Sequence, residues 1–181
     1  MNEDIKKMHA SLNALLATTD LTDVTAESSG FSELPEGYYL CEVEEAKLTT
    51  SKTSGAPMVS LRFKVVEDGH AVEIDEVGNV NMTDLKKTSN RKIFIHYPFK
   101  DDRSVKRFVT DMLKFEGETP GESLLPKEAF TTAETLEDAL GALIGMRIYV
   151  QVSVTINDDD SKSVWNNLIS WKRASALELP M

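Results

Sequence analysis

Cations and flat rings recur at alternating positions in several extended stretches of this sequence. Arg62 and Lys64 alternate with Leu61, Phe63 and Val65. Lys92, Phe94 and His96 alternate with Ile93 and Ile95. Arg147 and Tyr149 alternate with Ile148 and Val150, and Trp171 stands beside Lys172 and Arg173. A strand turns successive side chains to opposite faces, so each set shares one face. The chemistry open to such a face is non-covalent: cationic groups follow phosphates, and flat side chains stack on bases. Lys52, in a polar loop, is placed to clamp a phosphate. Core packing is the competing role for the aromatics. It weighs most on Phe94 and Trp165, and less on Tyr149, whose neighbours Ile148 and Val150 already mark the other face as core.

Bond-making chemistry is scarce. There is no Gly-Lys-Ser/Thr phosphate loop and no G-x-G-x-x-G turn. His9, His70 and His96 fall in a helix, a loop and a strand, with no Cys or His at ligand spacing, so no metal site is expected. Cys41 has no partner that would make it a nucleophile and reads as a small core hydrophobe. Asp158, Asp159 and Asp160 lack the glycine and terminal glutamate of a calcium loop, and read as a solvated turn. Glu42, Glu44 and Glu45 form a carboxylate cluster, but on a half-exposed strand such acids are ordinarily the wet face. The expectation is a protein that is not an enzyme and has no cofactor.

The elements that position these residues are organised around a long hairpin, Gly37 to Val66. Its first arm runs Tyr38–Leu48, with Tyr39, Cys41 and Val43 on one side. The second arm turns Val59, Leu61, Phe63 and Val65 inward. Ser51–Pro57 is the loop between them, and Gly-containing polar loops between long strands often touch ligands. Ile5, Met8, Leu12, Leu15 and Leu16 recur at helical spacing within residues 3–16, and a Thr- and Ser-rich linker follows. Glu67–Asn90 is polar and mixed, with a turn at Asp68-Gly69 and a short strand at Ala71–Ile74. Arg91–Tyr97 is the third main strand. A helix capped by Asp102 or Ser104 runs to about Phe115, and a second starts at Thr131 or Thr132 with Leu136, Ala139, Leu140 and Leu143 as its stripe. Arg147–Val154 and Ser163–Trp171 are the last two strands.

This order predicts a mainly β protein with inserted helices: an OB-like five-stranded barrel, helices between strands 3 and 4, and an N-terminal helical arm. An open α+β sheet is the competing architecture. The divisions are residues 1–32 (amphipathic helix and linker), 33–175 (barrel) and 176–181 (tail). The helix at 3–16 is expected to pack on its own domain or to self-associate.

The chain has 181 residues and a net charge of −10. That overall sign argues against nucleic acid, but its distribution does not. Residues 1–36 carry −5 and residues 116–145 carry −6, which leaves +1 for the remainder, where the strands lie. The lone cysteine excludes an internal disulfide and suits a reducing compartment. No apolar run approaches the ~20 residues of a membrane span, and the N-terminus lacks the pattern of a secretory signal. The expected setting is cytoplasmic.

Read in order, the segments are LPEGYY opening a strand that ends in EEAKL, the loop SKTSGAPM, SLRFKVV, RKIFIHY, a helix ending in MLKF, a Leu-rich helix, GMRIYVQVSV and VWNNLISWKR. This order resembles the phage-encoded single-stranded DNA-binding proteins of replication and recombination clusters, over about residues 31–173. Asn90 departs from it, standing where the family is expected to carry glycine. The resemblance implies an OB-like barrel that coats single strands in the cytoplasm of an infected bacterium. The tail Glu178-Leu179-Pro180-Met181 loosely resembles the acidic, apolar tips by which bacterial single-strand binders recruit replication and recombination proteins. The alternative function is an acidic protein-binding module, a phage inhibitor or adaptor that uses its charge to mimic DNA.

Overall fold

The computed structural model describes residues 3–18 and 33–181. The chain divides into two units, 1–33 and 34–181. In the first, α1 (Glu3–Thr18) is a helix none of whose residues is buried. The predicted linker falls largely on residues 19–32, outside the described residues.

The second unit is mainly β. Seven strands form one antiparallel sheet: β1 (Gly37–Thr50), β2 (Pro57–Val65), β3 (Gly69–Ile74), β4 (Val80–Leu85), β5 (Lys92–Pro98), β6 (Arg147–Ile156) and β7 (Lys162–Ile169). The helices are α2 (Asp102–Met112), α3 (Ala133–Leu143) and α4 (Trp171–Ala176), and a short 3₁₀ turn spans Lys127–Phe130. The sheet order is β4-β3-β1-β2-β5, with β6 also paired to β1 and β7 to β6.

Three expectations are corrected here. There are seven strands, not five, because the polar stretch 67–90 folds into the β3–β4 hairpin. Asp68 anchors its base by accepting from the backbone N–H groups of Thr88 and Ser89, both at 2.8 Å. Buried Thr88 adds a bond from the Gly69 N–H to its Oγ1 at 2.9 Å. Such side-chain clamps leave no apolar periodicity to read. As a result, the inserted helices α2 and α3 follow the fifth strand rather than the third. Finally, the sheet does not close into a barrel. No backbone ladder joins β5 to β7, and across that edge the Asn166 side-chain amide donates to the Phe94 carbonyl at 3.3 Å.

β1 is the strand on which the others depend. Residues 37–42 pair with β6, and residues 41–50 pair with β2. A bulge at Val43/Glu45 shifts the register. An extra residue in one strand changes the phase of its alternation. Tyr39, Cys41 and Val43 therefore face the core before the bulge, and Ala46 and Leu48 face it afterwards. Gly69 opens β3 against Tyr39: a Cβ there would lie 2.3 Å from the Tyr39 ring, so only glycine fits.

The main core lies between the inner sheet face and α2 and α3. Leu61, Phe63, Ile95 and Val150 meet Phe108, Met112 and Leu140 there. Asp101, rather than Asp102 or Ser104, is the N-cap of α2. Its carboxylate accepts from the Ser104 N–H at 2.8 Å in a capping box. The cap of α3 is Thr132. A second, smaller cluster lies on the opposite sheet face and unites Tyr38, Tyr149, Ile169, Ala174, Leu177 and Leu179. The segment after Ala176 is therefore not a free tail: Leu177 and Leu179 are buried in this cluster.

Asn90 has φ +63, in the left-handed region that Gly and Asn tolerate best. Glycine and asparagine both meet the backbone's demand at this position.

Candidate nucleic-acid interface

The register of β2 and β5 builds the face. Ser60 opposes His96, Arg62 opposes Phe94, and Lys64 opposes Lys92. Their neighbours Leu61, Phe63, Ile93 and Ile95 are buried, so the alternation turns this whole set outward. Phe94 is 52% exposed in mid-strand. Its ring stacks with that of His96 at a centroid distance of 6.5 Å and an interplanar angle of 23°. An exposed phenyl in the middle of a strand loses the burial that strand aromatics ordinarily gain, and is free to contact something flat.

β1 contributes the opposing charges. Because of the bulge, Glu44 and Glu45 both reach Arg62: Arg62 Nε lies 3.3 Å from Glu44 Oε2, and its Nη1 lies 3.4 Å from Glu45 Oε2. Lys92 also bonds Glu44, and Lys47 bonds Glu45 at 2.6 Å. The Lys92 ammonium, with help from Arg62, holds the Glu44 carboxyl below the usual carboxylate range. Lys47, with Arg62, does the same for Glu45. Further along the row, Arg147 Nε lies 3.4 Å from Glu42 Oε2. Lys64 opposes Glu42 and Lys92, and makes no ion pair with a described residue. The cations are thus accessible, but most are already paired. An incoming phosphate has to displace a carboxylate, and for half-exposed pairs that exchange is inexpensive.

Of the residues expected to share a site, Arg62, Lys64, Lys92, Phe94 and His96 come together on this face, and Arg147 joins through Glu42. Lys52 is exposed in the β1–β2 loop. Tyr149 is not available: it is only 1% exposed, its hydroxyl donates to the Pro180 carbonyl, and its ring meets Trp171 edge-on at 5.9 Å. Burial pushes its hydroxyl up to about 12. It belongs to the second apolar cluster because α4 and the tail cover that part of the outer sheet face. Trp171 also packs on that cluster, and it begins α4 instead of ending a strand. Lys172 and Arg173 are exposed on α4, which packs beside β6 over the second apolar cluster.

Sequence reasoning missed Trp165, which is 53% exposed on β7 opposite Ser153. It shares the outward phase of Asn167 and Tyr149, and that phase was its legible signal. Lys47 was missed as well, because the bulge that turns it outward leaves no mark on a simple alternation.

The fold and this face define a mainly β protein: one seven-stranded antiparallel sheet, α2 and α3 on its inner side, and an outer side that α4 covers in part and that is open, with cations and aromatics, at β2 and β5. Among the described residues no group of His, Cys, Asp or Glu is placed to hold a metal ion, and no helix is long and apolar enough to cross a membrane. Residues 18–95 match a family model described as a protein of unknown function, DUF669. The match spans β1 to β4 and the start of β5, including the β2 half of the candidate face. A comparison with curated proteins gave no match.

Proposed function

We propose that this protein binds single-stranded DNA without sequence preference, through the outer face of β2 and β5. The observation that carries this reading is the half-exposed Phe94, stacked with His96 and set between Arg62 and the Lys64–Lys92 pair. Stacking platforms flanked by cations suit single strands because every base has a flat face and every linkage a charge.

The finer architecture belongs to the same proposal. Taken alone, β1, β2, β5, β6 and β7 run in the order β5-β2-β1-β6-β7, with α2 and α3 between the third and fourth of the five. Asn166 reaches across the remaining gap. We read this as an OB-like arrangement, left open between β5 and β7, with the β3–β4 hairpin inserted. In that design the face of the second and third strands binds oligonucleotides, flanked by the first and last hairpin loops. Here those are β2 and β5, the loop carrying Lys52, and the Asn157–Ser161 turn.

The setting in phage replication and recombination rests on the family resemblance. Recruitment of other proteins through the C-terminus would fall to Glu178 and Met181, which are exposed, while Leu177 and Leu179 are buried. The experiment is a mobility shift with labelled single- and double-stranded DNA over a salt series. Single-strand binding that weakens with salt supports the reading. Absence of binding at low salt overturns it in favour of an acidic protein-binding module, which Glu134, Glu137 and Asp138, exposed together on α3, would serve.

A further inference from the structure

A cleft of about 260 Å³ lies between the end of β5 and the first turns of α2. His96, Lys100, Arg103, Ser104 and Arg107 line it, with Asp101 as its one acid. Asp101 is occupied: its carboxylate caps α2 through the Ser104 N–H. The three cations differ from most of those on the sheet, Lys64 excepted. Arg62, Lys92 and Arg147 are each held by a glutamate, whereas Lys100, Arg103 and Arg107 make no ion pair with a described residue. Arg103 and Arg107 are four residues apart on one helix, an arrangement in which like charges repel. The repulsion is relieved when an anion sits between them, and guanidinium groups suit the oxygens of a phosphate.

His96 connects the two places. It stacks with Phe94 on the outer face and also lines the cleft. We infer that the cleft formed by His96, Lys100, Arg103 and Arg107 takes the phosphodiester backbone of a single strand as it leaves the β2–β5 face. This rests on the single-strand reading above and adds a path to it: bases stack at Phe94, and the following phosphates turn past His96 onto α2.

The test uses the full chain and oligothymidylates of about 4 to 16 nucleotides, the site-size range of such a fold. The wild-type protein is compared with Phe94→Ala and with the double variant Arg103→Ala/Arg107→Ala. The double variant removes two exposed side chains, and circular dichroism checks its fold. The expected result is an affinity lost by tenfold or more on the longest oligomer and little changed on the shortest. The slope of log affinity against log salt should shrink by about 1.4, two contacts at about 0.7 each. Arg103→Lys/Arg107→Lys should keep most of that slope. A double alanine variant that binds every length with wild-type affinity and slope overturns the cleft. Thymidine monophosphate is the control for an isolated phosphate: arginine-dependent binding as tight as that of the long oligomer overturns the path in favour of a terminal-phosphate pocket. Failure of the underlying reading looks different, since the wild type would then bind no strand, or would bind equally well after Phe94→Ala.

Discussion

Arg62 on β2 and Phe94 on β5 are direct cross-strand partners, and both point away from the core. The pair sets a guanidinium beside a half-exposed phenyl ring, and Glu44 and Glu45 hold that guanidinium from the other side. Most tests of the proposed function follow from this arrangement.

Phe94→Ala should weaken single-strand binding by ~1–3 kcal/mol, the usual worth of a stacked base. Stability should change little, because half of the ring is already in water. Phe63→Ala, at a fully buried position one residue from Arg62, should cost ~3–5 kcal/mol of stability. Thermal unfolding and oligonucleotide affinity measured on both variants separate the two roles. Unchanged affinity in folded Phe94→Ala would remove the stacking platform.

Glu44→Gln should raise affinity. Glu44 bonds both Lys92 and Arg62, so its neutral amide frees Lys92 for phosphates and loosens Arg62, which Glu45 still holds. The slope of log affinity against log salt, about −0.7 per phosphate contact on a single strand, should become steeper than in the wild type. A fluorescence titration at several salt concentrations reads both quantities. Weaker binding by the variant would show that Glu44 positions the cations instead of competing with the strand.

Tyr149→Ala should destabilise the protein by ~3–5 kcal/mol, as for any buried aromatic. Tyr149→Phe keeps the ring and removes only the bond to the Pro180 carbonyl, at a cost of ~1 kcal/mol. It should also speed carboxypeptidase trimming of the C-terminus. Equal trimming rates would show that Leu177 and Leu179 alone hold the tail.

Alkaline pH tests the same contact. Burial raises the Tyr149 hydroxyl from 10.0 to about 12, so its neutral form is favoured in the fold. The stability this contributes is fully present below pH 10 and is lost as pH rises through about 12. Tyr39 is raised to about 12 by burial as well, and contributes in the same window. Melting temperature followed from pH 9 to about 12 should fall for the wild type and fall less for Tyr149→Phe.

Removing residues 1–32 should leave the second unit folded with its melting temperature unchanged, because both apolar clusters lie within residues 34–181. Light scattering on the full and shortened chains then reads whether the apolar stripe of α1 drives self-association. A large loss of stability on deletion would place Ile5, Met8 and Leu12 in the core.

Much of the candidate face was legible in the sequence. Strict alternation in β2 and β5 determined which side chains share a face, because the pleat leaves no other choice once Leu61, Phe63, Ile93 and Ile95 are committed inward. The stripes of α2 and α3 and the Thr132 cap were readable for the same local reason. Three things were decided only by tertiary structure. Alternation places Tyr149 and Trp165 on the outer face alike, but it does not say what covers that face: α4 and the tail bury Tyr149 and leave Trp165 half exposed. The bulge at Val43/Glu45 lies just past the stretch of β1 that pairs with β6, and beside it Glu44 and Glu45 both reach Arg62. The β3–β4 hairpin is held by Asp68 and Thr88 bonding to backbone some twenty residues away, an interaction between positions that no local pattern links.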